Sequence, residues 1–140
     1  MVISVVLASL GLLLFGVILT LFIPSKYIDE TNQIYQDYSL LSIGAFMFIG
    51  ALFEEFLFRG IIQNLLLVFL EHQCTAIIIT TLLFIGMHTQ YFKKPIMLIN
   101  ITVPSLIFGW IYCQTNNILV PFLVHFFNEY RYDTIIQIQF

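Results

Sequence analysis

The chain has 140 residues, of which 60% are hydrophobic and 9% charged, and its mean hydropathy is +0.98. Soluble domains carry about 25% charged residues, so the composition excludes an ordinary soluble domain and indicates an integral membrane protein. The net charge of -3 and the lack of a basic run argue against a nucleic-acid partner. Cys74 and Cys113 have neither metal-site spacing nor the density of a disulfide framework.

The first apolar segment extends from Met1 to Ser25 and contains no charged residue. A helix of this length spans roughly 30 Å of hydrocarbon. A secretory signal would show a basic start, a shorter apolar core and a cleavage site with small residues, and the segment has none of these. We therefore expect a retained transmembrane helix closed by Pro24, then a polar loop over Ser25 to Tyr38, together forming an N-terminal unit of residues 1–38.

The second apolar segment begins at Ser39 and continues to about Leu70. If straight, it would be roughly 48 Å long, so it must tilt, kink near Gly50 or project from the membrane. Three further segments follow short polar turns: residues 75–91, residues 96–112, and a helix from Ile118 onward. We predict an all-α membrane protein, a bundle of about five transmembrane helices whose catalytic core of four helices occupies residues 39–140.

Single residues within these segments predict local features. Pro104 predicts a kink in the fourth span, and Asn116 or Asn117 predicts the N-cap of the fifth helix. Five glycines are predicted to permit close approach of helices: Gly44, Gly50, Gly60, Gly86 and Gly109.

The basic residues predict an orientation in the membrane. If the five segments alternate in direction, Lys26, Lys93, Lys94 and Arg131 all fall on one side. The positive-inside rule places that side in the cytoplasm. The N-terminus is then outside and the C-terminus inside.

Three charges interrupt the second apolar segment, at Glu54, Glu55 and Arg59. Each charge at the centre of a bilayer costs about 3 kcal/mol on the mildest scale. Glu55 and Arg59 are four residues apart on one helical face, with the carboxylate N-terminal to the cation, so we predict a self-neutralising ion pair. Glu54 lies about 100° around the helix from Glu55 and cannot share Arg59 in the same way. It is the surplus carboxylate.

Two histidines on other helices can face this carboxylate. His88 in the third segment and His125 in the fifth lie at depths that let both reach one site with Glu54. A desolvated carboxylate can accept a proton near neutral pH. Histidines facing it can polarise a carbonyl, orient a water molecule or bind a metal.

Three short motifs occur in order on successive hydrophobic helices: EExxxR at Glu54, FxxxH at Phe84, and HFFNE at His125. In order and separation they resemble the CAAX-protease and bacteriocin-processing (CPBP, or Abi) family of intramembrane endopeptidases, over roughly residues 39–130. Eukaryotic relatives in that family remove the last three residues of prenylated CAAX proteins. The resemblance implies a peptidase embedded in the bilayer, in a bacterial plasma membrane, that acts on a membrane-associated peptide or a prenylated protein.

The third motif departs from the family pattern, which is usually HxxxN. Here Asn128 is at i+3 from His125 and Glu129 is at i+4. Both offsets bring a side chain near the histidine. Since a glutamate donates a hydrogen bond to an oxyanion only when protonated, Asn128 is the preferred candidate.

The resemblance also implies residue roles. Glu54 would be the general base on a water molecule that His88 helps to hold. His125 and Asn128 would stabilise the oxyanion of the tetrahedral intermediate. The second carboxylate, Glu55, would shape the site together with Arg59.

A zinc-dependent version would use Glu54, His88 and His125 as metal ligands. The sequence lacks HExxH, so the metal-free glutamate mechanism is preferred and no cofactor is expected. Two other classes stay open. One is a non-catalytic protein of the same fold that gives bacteriocin immunity or binds partner helices, and the other is a small proton- or ion-handling membrane protein.

Overall fold

A computed structural model of the chain describes residues 2–22 and 38–138, with the backbone alone for residues 20 and 131–138. Every regular element within these residues is helical. The prediction of an all-α fold is therefore confirmed. Pro24, Lys26 and the predicted polar loop, except Tyr38 at its end, lie outside the described residues.

Five helices follow one another in the described residues: α1 Val2–Thr20, α2 Leu40–Leu70, α3 Gln73–Met87, α4 Pro95–Thr115 and α5 Leu119–Ile138. Of these, α1, α2 and α4 are long and apolar enough to cross a membrane, and α3 is a shorter apolar helix. These lengths and compositions are those of an integral membrane protein.

Helix α2 changes its winding in the middle of its course. Its parts are α-helix Leu40–Glu55, π-helix Phe56–Gln63 and α-helix Asn64–Leu70. The helix runs regularly through Gly50, so the irregularity lies further along than the predicted kink. In a regular α-helix, two side chains eight residues apart, such as Glu55 and Gln63, would differ in direction by about 80°. With the π-helix between them, Glu55, Arg59 and Gln63 are all fully buried.

Helix α3 ends at Met87, earlier than the sequence pattern predicts, and a 3₁₀ turn Thr89–Tyr91 follows it. His88 has left the helical conformation, with φ -99° and ψ 50°. Its Nδ1 lies 2.8 Å from the carbonyl oxygen of Phe84, one of the carbonyls that a helix end leaves without a partner. The residue predicted to be inside the third span therefore caps it.

Asn116 and Asn117, the two candidates for the N-cap of α5, have different roles in the turn between α4 and α5. Asn116 ends α4 in the left-handed conformation, with φ 46°. The side chain of Asn117 accepts a hydrogen bond of 3.0 Å from the backbone N–H of Leu119. Asn117 is therefore the residue that caps α5. Helix α4 continues through Pro104, and the kink predicted there stays a prediction.

Helices α4 and α5 form the centre of the bundle. Helix α1 packs on both, α2 packs on α5, and α3 packs on α4. The apolar core joins α1, α4 and α5 through five buried residues: Leu12, Phe108, Ile111, Val120 and Val124. This packing brings the charged part of α2 against α4 and α5.

Close approach of helices occurs at three of the five glycines predicted for it. A Cβ atom would lie within 3.1 Å of a neighbouring atom at Gly44, 3.0 Å at Gly60 and 2.9 Å at Gly109. At Gly50 and Gly86 no such atom lies within 4 Å, so the prediction is wrong there. Those two positions face open space, which a bilayer would fill with lipid.

Arg59 anchors three helices inside the apolar bundle. Its Nη1 donates to Glu55 Oε1 over 3.0 Å, which confirms the predicted ion pair. Its Nη2 donates to the backbone carbonyl and to Oγ of Ser105 on α4, both at 2.9 Å. The Ser105 hydroxyl in turn donates to Thr81 of α3 over 3.3 Å. Charge-assisted bonds of this kind stabilise a cation that has no access to water. Nε of the same group is buried and has no hydrogen-bond partner among the described residues.

Two phenyl rings flank the same guanidinium group. Its Cζ lies 5.5 Å from the ring centroid of Phe84 and 5.4 Å from that of Phe108. Both distances are within the range of cation–π attraction, which strengthens in a desolvated setting. Arg59 is thus held by polar atoms at its tip and by the faces of two aromatic rings.

Gly109→Ala is expected to destabilise the fold by about 1–3 kcal/mol, because the added methyl group overpacks a tight contact. Its Cβ would lie 2.9 Å from Gln63 Oε1 and 3.1 Å from Ile77 Cγ2. Gln63 cannot easily move, since its Nε2 donates to the carbonyl of Gly109 and to Sγ of Cys113. Thermal unfolding of the purified protein in detergent measures the change.

The matched control for this change is Gly50→Ala, where the methyl group meets nothing within 4 Å. Replacing a helical glycine by alanine there should leave stability unchanged or raise it by up to about 1 kcal/mol. Equal shifts in both variants would contradict the assignment of Gly109 to a close contact.

Arg59→Met is expected to destabilise the protein by about 3–5 kcal/mol, because Glu55 would be left as a buried charge without its cation. The double variant Glu55→Gln/Arg59→Met should lose less, since no uncompensated charge remains. The four unfolding free energies form a double-mutant cycle. Purely additive losses would show that the pair is not coupled.

Candidate active site

His125 is the centre of a cluster of carboxyl groups. Its Nδ1 lies 2.8 Å from Glu55 Oε1, and its Nε2 lies 3.1 Å from Glu129 Oε1 and 3.8 Å from Glu54 Oε2. The imidazole ring stacks on Phe108 with a centroid distance of 4.8 Å. The structure thus brings Glu54, Glu55 and His125 together, as the sequence predicts, and adds Glu129 to them.

Burial divides these groups into an inner and an outer set. Glu55 and His125 are buried, whereas the side chains of Glu54 and Glu129 are 29% and 35% exposed. Adjacent residues on α2 point in different directions, so Glu55 faces the interior while part of the Glu54 side chain is exposed. A water molecule or a peptide can therefore reach Glu54 and Glu129.

The hydrogen bonds fix where protons lie around His125. Glu55 Oε1 accepts from Arg59 Nη1, so it is the acceptor for His125 Nδ1–H as well. The contact between His125 Nε2 and Glu129 Oε1 then needs one more proton, on the ring or on the carboxyl group. Both descriptions place a proton between His125 and Glu129.

His88 lies at the end of α3 and is not part of the group of ligand atoms that the described residues bring together, which is Glu54, His125 and Glu129. It is half-buried and close enough to Glu54 for electrostatic interaction. A carbonyl oxygen only accepts, so the 2.8 Å contact with Phe84 places a proton on His88 Nδ1. Nε2 of the neutral ring then carries a lone pair, which can accept a hydrogen bond from a water molecule. The Tyr91 ring is stacked on His88 at 6.1 Å.

Asn128 lies one residue before Glu129 on α5 and is half-buried. Among the hydrogen bonds of the described residues, the partners of the His125 ring are Glu55 and Glu129, and Asn128 is not one of them. The role of Asn128 as an oxyanion donor stays a prediction.

Three residues that support the site escape prediction from the sequence: Thr81, Ser105 and Phe108. Ser105 is a hydroxyl in an apolar span, a signal that marks a helix contact without naming its partner. Phe108 supports both Arg59 and His125, but it is one of 15 phenylalanines and has no distinguishing pattern.

The same cluster contains a donor set for a metal ion. Within the described part of the chain, one ligand atom each from Glu54, His125 and Glu129 lies within 4.8 Å of the other two. The predicted zinc set has His88 in place of Glu129. An imidazole and two carboxylates suit zinc, and Glu55 beside Nδ1 is a common outer partner of a zinc-bound histidine. The residues fit a zinc ion, and the choice between the metal-free version and its zinc-dependent alternative stays a prediction.

Comparison with known proteins gives the chain a family. A family described as type II CAAX prenyl endopeptidase Rce1-like matches residues 36–130, which include all three motifs. The uncharacterized protein YpbD of Bacillus subtilis (strain 168) is 29% identical over 106 residues, 74% of this chain and 51% of YpbD. The chain thus spans about half the length of this relative. No solved structure matches the chain.

The family match covers more than half of the chain and extends from the start of α2 into α5, where the site residues lie. The resemblance expected from the three motifs is therefore confirmed. The chain belongs to the Rce1-like family of type II CAAX prenyl endopeptidases.

Proposed function

We propose that this protein is an intramembrane endopeptidase that hydrolyses a peptide bond of a membrane-associated peptide. The observation that carries the proposal is the position of Glu54. Its carboxyl group is half-buried and 3.8 Å from His125 Nε2, while the neighbouring Glu55 is occupied by Arg59. One carboxylate in the bilayer-embedded part of α2 is thus left to act on a substrate.

In the proposed reaction Glu54 removes a proton from a water molecule whose oxygen attacks the scissile carbonyl carbon. His88 Nε2 accepts the second hydrogen bond of that water and orients it. General base catalysis of this kind contributes about 10²–10⁴-fold in rate. The half-exposed position of Glu54 supports this role, since a fully buried carboxylate could not meet a water molecule.

Stabilisation of the tetrahedral intermediate is assigned to α5. The side-chain N–H of Asn128 would face the oxyanion, and a donor of this kind is worth about 3–4 kcal/mol. The predicted contribution of His125 could come only from Nε2, whose proton is shared with Glu129. The Glu55–Arg59 pair holds the His125 ring from behind through the 2.8 Å contact at Nδ1. This pair positions the site and does not touch the substrate.

The family description supports a prenylated CAAX-type peptide as the substrate. A prenyl chain and a bilayer-embedded site share the same apolar surroundings.

We also propose that the protein resides in a bacterial plasma membrane with its C-terminus in the cytoplasm. Lys93 and Lys94, in the turn before α4, support this orientation. Lys26 and the side chain of Arg131 lie outside the described residues.

A zinc ion, if bound, would be held by Glu54 and His125 together with His88 or Glu129. It would polarise the carbonyl and lower the pKa of a bound water. The metal-free mechanism is preferred, because HExxH is absent.

Glu54→Gln should lower the kcat of peptide cleavage by about 10²–10⁴-fold, since an amide cannot accept the proton of water. The assay uses the full chain in lipid vesicles and quenched fluorescent peptides ending in a CAAX sequence, one farnesylated and one not. His88→Ala should also lower kcat. The exposed Glu71→Gln is the matched control and should cleave as the wild type does.

If Glu54→Gln and His88→Ala keep wild-type cleavage, the peptidase proposal is wrong. If the wild type cleaves neither peptide, the proposal is equally wrong. The alternative is then a non-catalytic protein of this fold, active in immunity or partner binding.

Treatment with a strong zinc chelator should leave turnover unchanged, because the preferred mechanism needs no metal. The comparison is between metal-stripped protein and the same sample after addition of zinc. Loss of activity on stripping, with recovery on zinc addition, would replace the metal-free mechanism by the zinc-dependent one.

A further inference from the structure

Glu129 on α5 and Glu54 on α2 are both partly exposed, and both lie beside His125. Both carboxyl groups approach the same nitrogen of His125, at 3.1 Å and 3.8 Å. The approaching atoms of the three residues all lie within 4.8 Å of one another. Hydrogen bonds between oxygens are about 2.5–3.0 Å long, so a single water molecule or peptide group can contact both carboxyl groups.

The hydrogen bonds give the two carboxyl groups different states. A proton lies between Glu129 Oε1 and His125 Nε2, because a 3.1 Å contact between two acceptors is otherwise repulsive. The contact of Glu54 with the same nitrogen is longer, at 3.8 Å, and is not a hydrogen bond. His88, Glu55 and Arg59 also face this pair, but Glu55 and Arg59 neutralise each other. Glu54 is thus the free acceptor and Glu129 the group with a proton at hand.

We infer that Glu129 is a further catalytic residue, the general acid that protonates the leaving nitrogen. The inference rests on the proposed peptidase function. Water adds its oxygen to the carbonyl carbon while Glu54 takes one of its protons. The carbon–nitrogen bond then breaks, and the proton held between Glu129 and His125 goes to the nitrogen. The proton on Glu54 returns to the Glu129–His125 pair as the products leave, so each cycle consumes one peptide and one water.

A second role for Glu129 would be to orient the His125 ring without transferring a proton. Glutamine separates the two roles, because it can hydrogen-bond to the ring but cannot act as an acid. The nature of the leaving group distinguishes the acid role of Glu129 from the orienting role in a second way. An amide nitrogen must be protonated before it leaves, whereas the phenolate of a phenyl ester leaves without a proton.

The experiment compares a farnesylated peptide amide with the phenyl ester of the same acyl sequence, using the full chain in vesicles. Glu129→Gln should lower kcat for the amide by about 10²-fold, with KM changed by less than about 3-fold. For the ester, kcat should stay within about 3-fold of wild type. The amide-to-ester ratio within one sample does not depend on how much of the variant is folded. Glu71→Gln is the control and should change neither rate.

Equal losses on amide and ester would show that Glu129 positions His125, and the inference would be wrong. Wild-type cleavage of the amide by Glu129→Gln would overturn it as well. Glu54→Gln reports on the proposed function separately, because the general base is needed for both substrates. Retention of both rates in Glu54→Gln would remove the peptidase proposal, and the role of Glu129 with it.

Discussion

One carboxylate oxygen, Oε1 of Glu55, joins the structural core to the candidate active site. It accepts from Arg59 Nη1 at 3.0 Å and lies 2.8 Å from His125 Nδ1. Through Arg59 the same oxygen is connected to Ser105 on α4. Three helices thus depend on a single group that has no contact with solvent. A cation and an anion can stay in an apolar bundle only when they are paired and hydrogen-bonded, which restricts the geometry of Glu55 and Arg59. Among the described residues, Oε2 of Glu55 and Nε of Arg59 are buried without a hydrogen-bond partner, so the bonds at Oε1, Nη1 and Nη2 stabilise the pair.

Local pairings within one helix could be predicted from the sequence, and pairings between helices could not. The spacing of Glu55 and Arg59 predicts their ion pair, because i and i+4 side chains meet on any helix. Which face of α4 meets Arg59 depends on how the helices pack. In a soluble helix an apolar stripe would mark that face. In these helices the lipid-facing and the buried positions are both apolar, so no apolar stripe marks the face of α4 that meets Arg59. Ser105 and Thr81 are polar, but their presence does not show which helix each of them contacts.

The third motif shows a limit of a different kind. Both i+3 and i+4 lie near His125 on a helix, so the sequence alone could not choose between Asn128 and Glu129. Helical side chains point toward the N-terminus, which carries the longer glutamate side chain back over the turn that contains His125. The shorter asparagine, one residue earlier, lies further round the helix. The π-helix at Phe56–Gln63 was likewise beyond prediction, since no residue pattern marks such a segment.

Burial assigns the charged residues to two different tasks. Glu55 and Arg59 have no exposed surface and fix the geometry, while the side chains of Glu54 and Glu129 are about one-third exposed. A hydrolytic site within a bilayer needs both conditions, because its framework must exclude water and its reacting groups must meet it. His125 connects the two sets, with Nδ1 turned to the buried carboxylate and Nε2 to the accessible ones. Under the proposed peptidase function, a substrate would approach from the side where Glu54 and Glu129 are exposed.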